Sequence, residues 1–167
     1  SFLSGNGPFS IVILFLSVTF IAIALDVSGF FEYLAVKVLQ RVQTSGKKIF
    51  FAIYILTSVL TLFTSNDILI LTLTPFLLVF LRHLRVNPIP YLIAEFFAAN
   101  ILSMGLLVGN PTNIIVGVSR GIKFPEYASV MILPALVAGA VSLLLLYWVF
   151  RNDINVRCRP GKLPKVS

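Results

Sequence analysis

Between Lys48 and Arg82 the chain carries a single charged residue, Asp67, set in the stretch VLTLFTSNDILILTLTP over residues 59–75. No other feature limits the fold as much. So long an apolar run has no place on a soluble surface, and an acid at a bilayer centre costs about 2.5–3.5 kcal/mol on insertion scales. Two apolar arms, 49–63 and 68–81, flank the polar residues Thr64, Ser65, Asn66 and Asp67. Each arm reaches about 21–23 Å as a helix, short of a hydrocarbon core about 30 Å thick. The stretch therefore reads as a re-entrant helical hairpin whose tip ends inside the membrane. Irregular backbone at that depth is tolerated only against protein or a water-filled cavity.

Composition agrees. The chain is 58% hydrophobic and 11% charged, where a soluble domain carries about 25% charge. The fold class expected is all-α integral membrane: transmembrane helices with a re-entrant hairpin and a broken helix. The net charge of +7 lies between apolar runs and in the C-terminal segment, where lipid headgroups and topology account for it. The expected partner is the lipid bilayer; no nucleic-acid motif is present. Cys158 is the only cysteine, which excludes a disulfide framework and a Cys/His metal cluster; it reads as an incidental tail thiol. The first apolar run has neither a basic leader nor a cleavage signal, which argues against a signal peptide. A start at Ser1 fits a piece of a longer protein.

The chain divides as follows. Residues 1–46 hold a first span, Phe9 to Leu25, and an amphipathic segment, Phe30 to Val42. In the latter Phe30, Phe31, Leu34, Val38 and Leu39 share one side while Glu32, Lys37 and Arg41 lie elsewhere, as in an interfacial helix. Residues 47–85 are the hairpin with its tip at 65–67, and 86–123 a transmembrane helix broken at 109–113. Residues 124–150 are the last span, with Pro134 as a kink, and 151–167 a basic, poorly ordered tail. Placing the tail inside puts all of the 13 Lys and Arg inside except Arg120 and Lys123. The protein is then multi-pass in the plasma or inner membrane, with a cytoplasmic C-terminus.

The second irregular site is Gly109-Asn110-Pro111-Thr112-Asn113. A helix broken here leaves free carbonyls on its first half and free N–H groups on its second. The first end suits a cation and the second an anion. Ser65-Asn66 and Thr112-Asn113 are both hydroxyl-then-amide pairs, the neutral oxygens that hard cations such as Na⁺ accept. Interrupted helices near the midplane are the best sequence pointer to a transporter site. The candidate substrate- or ion-binding residues are Ser65, Asn66, Asp67, Gly109, Asn110, Thr112 and Asn113, with Thr64 and Asn100 as secondary candidates. No catalytic residue and no resident metal is expected beyond Na⁺ at these same residues.

FTSNDILILTLTPF followed by EFFAANILSMGLLVGNPTNIIVG resembles the ion-transporter superfamily, in particular arsenite-efflux permeases and the dicarboxylate/sodium symporter-like permeases. SGFFEYLAVKVLQRV, residues 28–42, has the look of the arsenite branch. The resemblance implies two inverted repeats, each with a hairpin and a broken helix, of which this chain matches one. It implies that the hairpin rides on a mobile transport domain, and that the two loops together bind Na⁺ and one end of the substrate. Asp67 stands where the symporters have Thr. An acid there fits a dicarboxylate poorly, and fits a proton or cation site, or a neutral substrate such as arsenous acid, better.

The other polar residues have plainer readings. Asp67 would cap the second arm, helped by Ser65 or Asn66. Glu95 would pair with Arg82 and Arg85 at the interface, with a proton relay as the alternative. His83 would touch headgroups, and Asp26 and Glu32 are helix-terminus or interfacial charges. Ala94, Ala98, Gly105 and Gly109 form a stripe for close helix packing.

The function expected is half of a secondary transporter. It would move a small anion, oxyanion or arsenite-like metalloid, coupled to H⁺ or Na⁺ and needing no other cofactor. Its partners would be the second repeat or another copy of the chain and a small inorganic or carboxylate substrate, with an ATPase subunit left open. The alternatives are a sodium-coupled dicarboxylate symporter half, an Na⁺/H⁺ antiporter half, or a structural fragment that transports nothing. An enzyme is not expected: a membrane aspartyl protease needs a facing Asp pair, and Asp26 and Asp67 lie at opposite ends of their segments.

Overall fold

Glycine, proline and asparagine punctuate the chain into helices. The computed structural model describes residues 8–62 and 64–158, and among these it contains α1 (Pro8–Val27), α2 (Phe30–Val42), α3 (Gly46–Leu60), α4 (Asn66–His83), α5 (Ile89–Ser103), α6 (Pro111–Ser119) and α7 (Phe124–Phe150). The architecture is the all-α one expected. Gly29, at φ 72°, separates α1 from α2, and the chain bends there by 58°. Prolines stand in the first turns of α5, α6 and α7, where a missing N–H costs nothing. Helices α4 and α7 are long and apolar enough to cross a membrane, and α1 with α2 makes a third such span if the bent pair is taken as one. Helix α7 runs unbroken through Pro134.

The core forms around the hairpin. Helices α2 and α5 each pack on both α3 and α4, while the two arms make little direct contact with each other. Phe31, Ala35 and Leu39 of α2 and Leu69, Leu73 and Leu77 of α4 are buried at four-residue spacing, the repeat that puts side chains on one helix face. Of the apolar stripe of α2, Phe31 and Leu39 therefore face protein with Leu34 packed beside them, while Phe30 stays exposed; the sequence pattern alone suggested an interfacial helix facing lipid. Lipid tails are as apolar as leucine, so these contacts stabilise through packing rather than through transfer from water. Ala94 and Ala98, both fully buried, let α5 approach its neighbours closely. Helix α7 lies against α5, and Tyr54 Oη of α3 donates to the Gly139 carbonyl of α7 at 2.8 Å. The opposite side of α7 leaves Leu133, Val137, Leu144 and Trp148 exposed.

The segment after α7 departs from the expected loose tail. Gly46 N–H donates to the Val156 carbonyl at 3.0 Å and Cys158 N–H to the Thr44 carbonyl at 3.2 Å, with Ser45 and Arg157 forming an antiparallel bridge. Ile154 is fully buried and Cys158 nearly so. Residues 151–158 thus clasp the α2–α3 turn. A Cβ on Gly46 would lie 2.5 Å from the Ile154 carbonyl and 2.7 Å from Tyr91 Oη, so only glycine fits. The starts of α3 and α5 and the end of α7 consequently meet at one end of the bundle, as the Lys and Arg distribution required. Residues 159–167, with the remaining basic residues of the expected tail, lie outside the described residues.

Candidate functional site

Both polar clusters lie at helix starts rather than in loops. Ser65 is the N-cap residue of α4, so Asn66 and Asp67 occupy its first turn, and the described non-helical residues of the hairpin are 61–62 and 64–65 rather than 65–67. Phe63, counted in the first arm, lies outside the described residues. Likewise Asn110 is the N-cap of α6, its side chain accepting from Thr112 N–H at 2.9 Å. Pro111, Thr112 and Asn113 belong to the first turn of α6, and the break runs over 104–110 rather than 109–113. Short polar side chains and proline favour the first turn of a helix as strongly as they favour a loop.

The two starts are joined. Asn66 N–H donates to the Gly109 carbonyl at 3.3 Å, and Asn66 Nδ2 donates to Asn100 Oδ1 at 3.1 Å. Asn100 is fixed in turn by its own Nδ2 bond to the Phe96 carbonyl at 2.8 Å. From the end of the first arm, Thr61 Oγ1 donates to the Ala99 carbonyl at 3.1 Å. Asn113 Nδ2 donates to the Ser103 and Leu106 carbonyls at 3.1 and 3.0 Å, tying the start of α6 to the end of α5 and to the break that follows it. Gly109 is there for space: a Cβ would collide with the Ser103 carbonyl.

Burial divides the candidates. Thr64, Ser65 and Asn66 are buried, and Thr64 Oγ1 and Asn66 Oδ1 have no hydrogen-bond partner. Asn100, Asn110 and Asn113 are half-buried; Asp67 and Thr112 are exposed. No side chain caps α4, so the capping role expected of Asp67 is not met. The arrangement is two helix N-termini side by side, a partly positive pair of ends. An exposed carboxylate stands on one and an exposed hydroxyl on the other, and Thr64 and Asn66 at the α4 start carry unpartnered oxygens. No group of three or more His, Cys, Asp or Glu that would hold a metal ion occurs among the described residues.

Glu95 departs most from its sequence reading. It is fully buried and accepts from Thr74 Oγ1 of α4 at 3.1 Å through Oε2, while Arg82 and Arg85 are exposed and form no pair with it. Asp26, expected as a terminus charge, is within donor reach of Thr72 Oγ1, so α4 meets a carboxylate on each side, from α1 and from α5. The threonines at 72 and 74 were the available signal, since hydroxyls within an apolar arm require partners.

The citrate transporter family matches residues 8–162 of this chain. An arsenical pump membrane protein of Escherichia coli is 34% identical over 143 residues, which cover 84% of this chain and 33% of that protein. An uncharacterized transporter of Mycobacterium tuberculosis is 29% identical over 157 residues, 93% of this chain and 36% of that one. A 46 kDa membrane protein of Mycobacterium leprae is 29% identical over 146 residues, 87% and 34%. The chain thus spans only 33–36% of the length of these relatives.

Proposed function

The chain belongs to the citrate transporter family, and we propose that it forms one repeat of a secondary transporter whose hairpin-containing domain moves a small substrate with H⁺ or Na⁺. The observation that carries this reading is the bond from Asn66 N–H to the Gly109 carbonyl. It brings together two interrupted helices, the arrangement from which transporters build substrate and ion sites. Ser65, Asn66, Asp67, Gly109, Asn110, Thr112 and Asn113 would supply the site, with Thr64 and Asn100 beside them. Asp67 and Thr112 are exposed and so are offered to the surface that completes the site, which would be a second repeat or a second copy of the chain.

Asp67 bears on the substrate. A carboxylate at the mouth repels an anion and suits a cation or a neutral metalloid acid. The relatives named as arsenical pump membrane proteins favour arsenite on the same ground. A carboxylate substrate is the second reading: the family is described by citrate, and paired helix N-termini favour an anion. The protein would sit multi-pass in the plasma or inner membrane with the clasped end of the bundle cytoplasmic.

The test is flux of arsenite and of citrate through the complete protein in proteoliposomes, under imposed pH or Na⁺ gradients. Asp67→Asn and Thr112→Ala should each lower flux about tenfold or change its ion dependence. Flux unaltered in both variants would put the site elsewhere.

A further inference from the structure

Glu95 is sealed inside this repeat, away from the exposed site residues, and none of its burial depends on the rest of the transporter. Its Oε2 accepts from Thr74 Oγ1, and its Oε1 has no partner. On α3, Thr57 is also fully buried with an unpartnered Oγ1. The register places the two at one level. Thr61 Oγ1 donates to the Ala99 carbonyl, and Thr57 and Glu95 each lie one turn back from that contact on helices that run in the same direction. Each helix thus buries one orphan oxygen a turn back from that contact, and the Thr74 hydroxyl of α4 is the one side-chain donor on Glu95 among the described residues.

The ionisable groups on the helices packed around α5 leave Glu95 without a charged partner. Lys48, Asp67, Arg82, His83 and Glu126 are exposed. Lys47 and Tyr127 lie at helix starts, and Tyr147 packs on Phe51. Tyr54 is bonded to Gly139, and Tyr91 of α5 itself packs on Phe50 with its hydroxyl near Gly46. Asp26 of α1 is taken up by Thr72 on another side of α4. A bare buried carboxylate with one neutral donor is strongly unfavourable, and removing the charge relieves that cost. A proton is the one cation that needs no cavity.

We propose that Glu95 is a proton-carrying site, separate from the paired helix starts, whose loading locks α3 and α4 onto α5. With the proton on Oε1 the carboxyl is neutral, and Oε2 keeps the Thr74 bond. One O–H bond forms when the proton arrives from water, and the same bond breaks when it returns to water; no electron moves. Without the proton, the seam holds an unpaired charge and must open to admit water. The proposal rests on the transport reading for its purpose but not for its chemistry.

The experiment therefore has two arms, both on the complete protein. Infrared spectroscopy of the wild type should show a protonated-carboxyl band that Glu95→Gln removes. Loss of a carboxylate band instead, or no change, overturns the assignment. If the glutamine variant does not fold, Thr74→Val serves: deleting the donor to Oε2 should shift the same band, and an unmoved band overturns the assignment. In proteoliposomes containing a pH-sensitive dye, proton movement driven by arsenite or citrate should fall about tenfold in Glu95→Gln while exchange of unlabelled for labelled substrate stays within about twofold. Proton movement at the wild-type level in that variant overturns the coupling role. A wild type that shows the band but moves neither substrate refutes the transport reading and leaves the proton site standing.

Discussion

The main-chain N–H of Asn66 donates to the main-chain carbonyl of Gly109, so the first residue of α4 is bonded to the break between α5 and α6. Each group belongs to an interruption and would otherwise lack a helical partner. The two interruptions thus stabilise each other, and moving the hairpin away from α5 breaks this contact.

Gly109→Ala should destabilise the protein by about 1–3 kcal/mol, because the added methyl meets a rigid carbonyl, that of Ser103. Gly105→Ala should cost less: its Cβ would lie 3.3 Å from the Ala135 methyl and from the Leu102 carbonyl, a much looser approach than at Gly109. Thermal unfolding of the complete protein in detergent measures both. Equal losses would contradict the steric account.

Asn66 and Asn100 should couple energetically. Their amide bond is 3.1 Å long and joins the hairpin to α5. A double-mutant cycle with alanine at each position should give an interaction term of about 0.5–1.5 kcal/mol. A value near zero would mean that the bond adds nothing to hairpin docking.

Asp67→Asn should leave stability within about 0.5 kcal/mol of the wild type. Asp67 is exposed, and no side chain caps α4, in whose first turn it lies. Unfolding of the complete protein tests this directly. A loss near the roughly 1 kcal/mol of a removed cap would restore the capping role.

Cys158 should react slowly with maleimide, and its reactivity should rise at a higher pH than that of a free cysteine. Burial pushes its thiol up from the ordinary value, so the fold favours the neutral form. That contribution to stability is complete below the ordinary thiol pKa of about 8.5 and is lost as the pH rises through the folded value. Gly46→Ala should open the clasp, since its methyl would strike the Ile154 carbonyl. The pH profile of labelling should then return to that of an exposed thiol. An unchanged profile would show that the clasp does not bury Cys158.

Much of this protein was legible from local pattern. One charge in a long apolar run, prolines at helix starts and the placement of Lys and Arg were enough for membrane helices, a hairpin and a broken helix, because those depend on lipid solvation and backbone chemistry along the chain. They were also enough to single out the two polar clusters that meet in the structure. Helix ends were misplaced at Asn66, Asp67 and Pro111 to Asn113, since the same residue types serve loops and first turns.

What the chain could not disclose is what each face meets. The apolar stripe of α2 has the same periodicity against lipid as against α3 and α4. Glu95 lies near basic residues in sequence, yet its helix turns it inward to Thr74. The basic stretch after α7 reads as a tail until its backbone pairs with Thr44 and Gly46. Periodicity specifies direction around a helix axis, but only tertiary packing decides whether that direction holds lipid, water or another helix, and that decides whether a carboxyl is a surface charge or a sealed one.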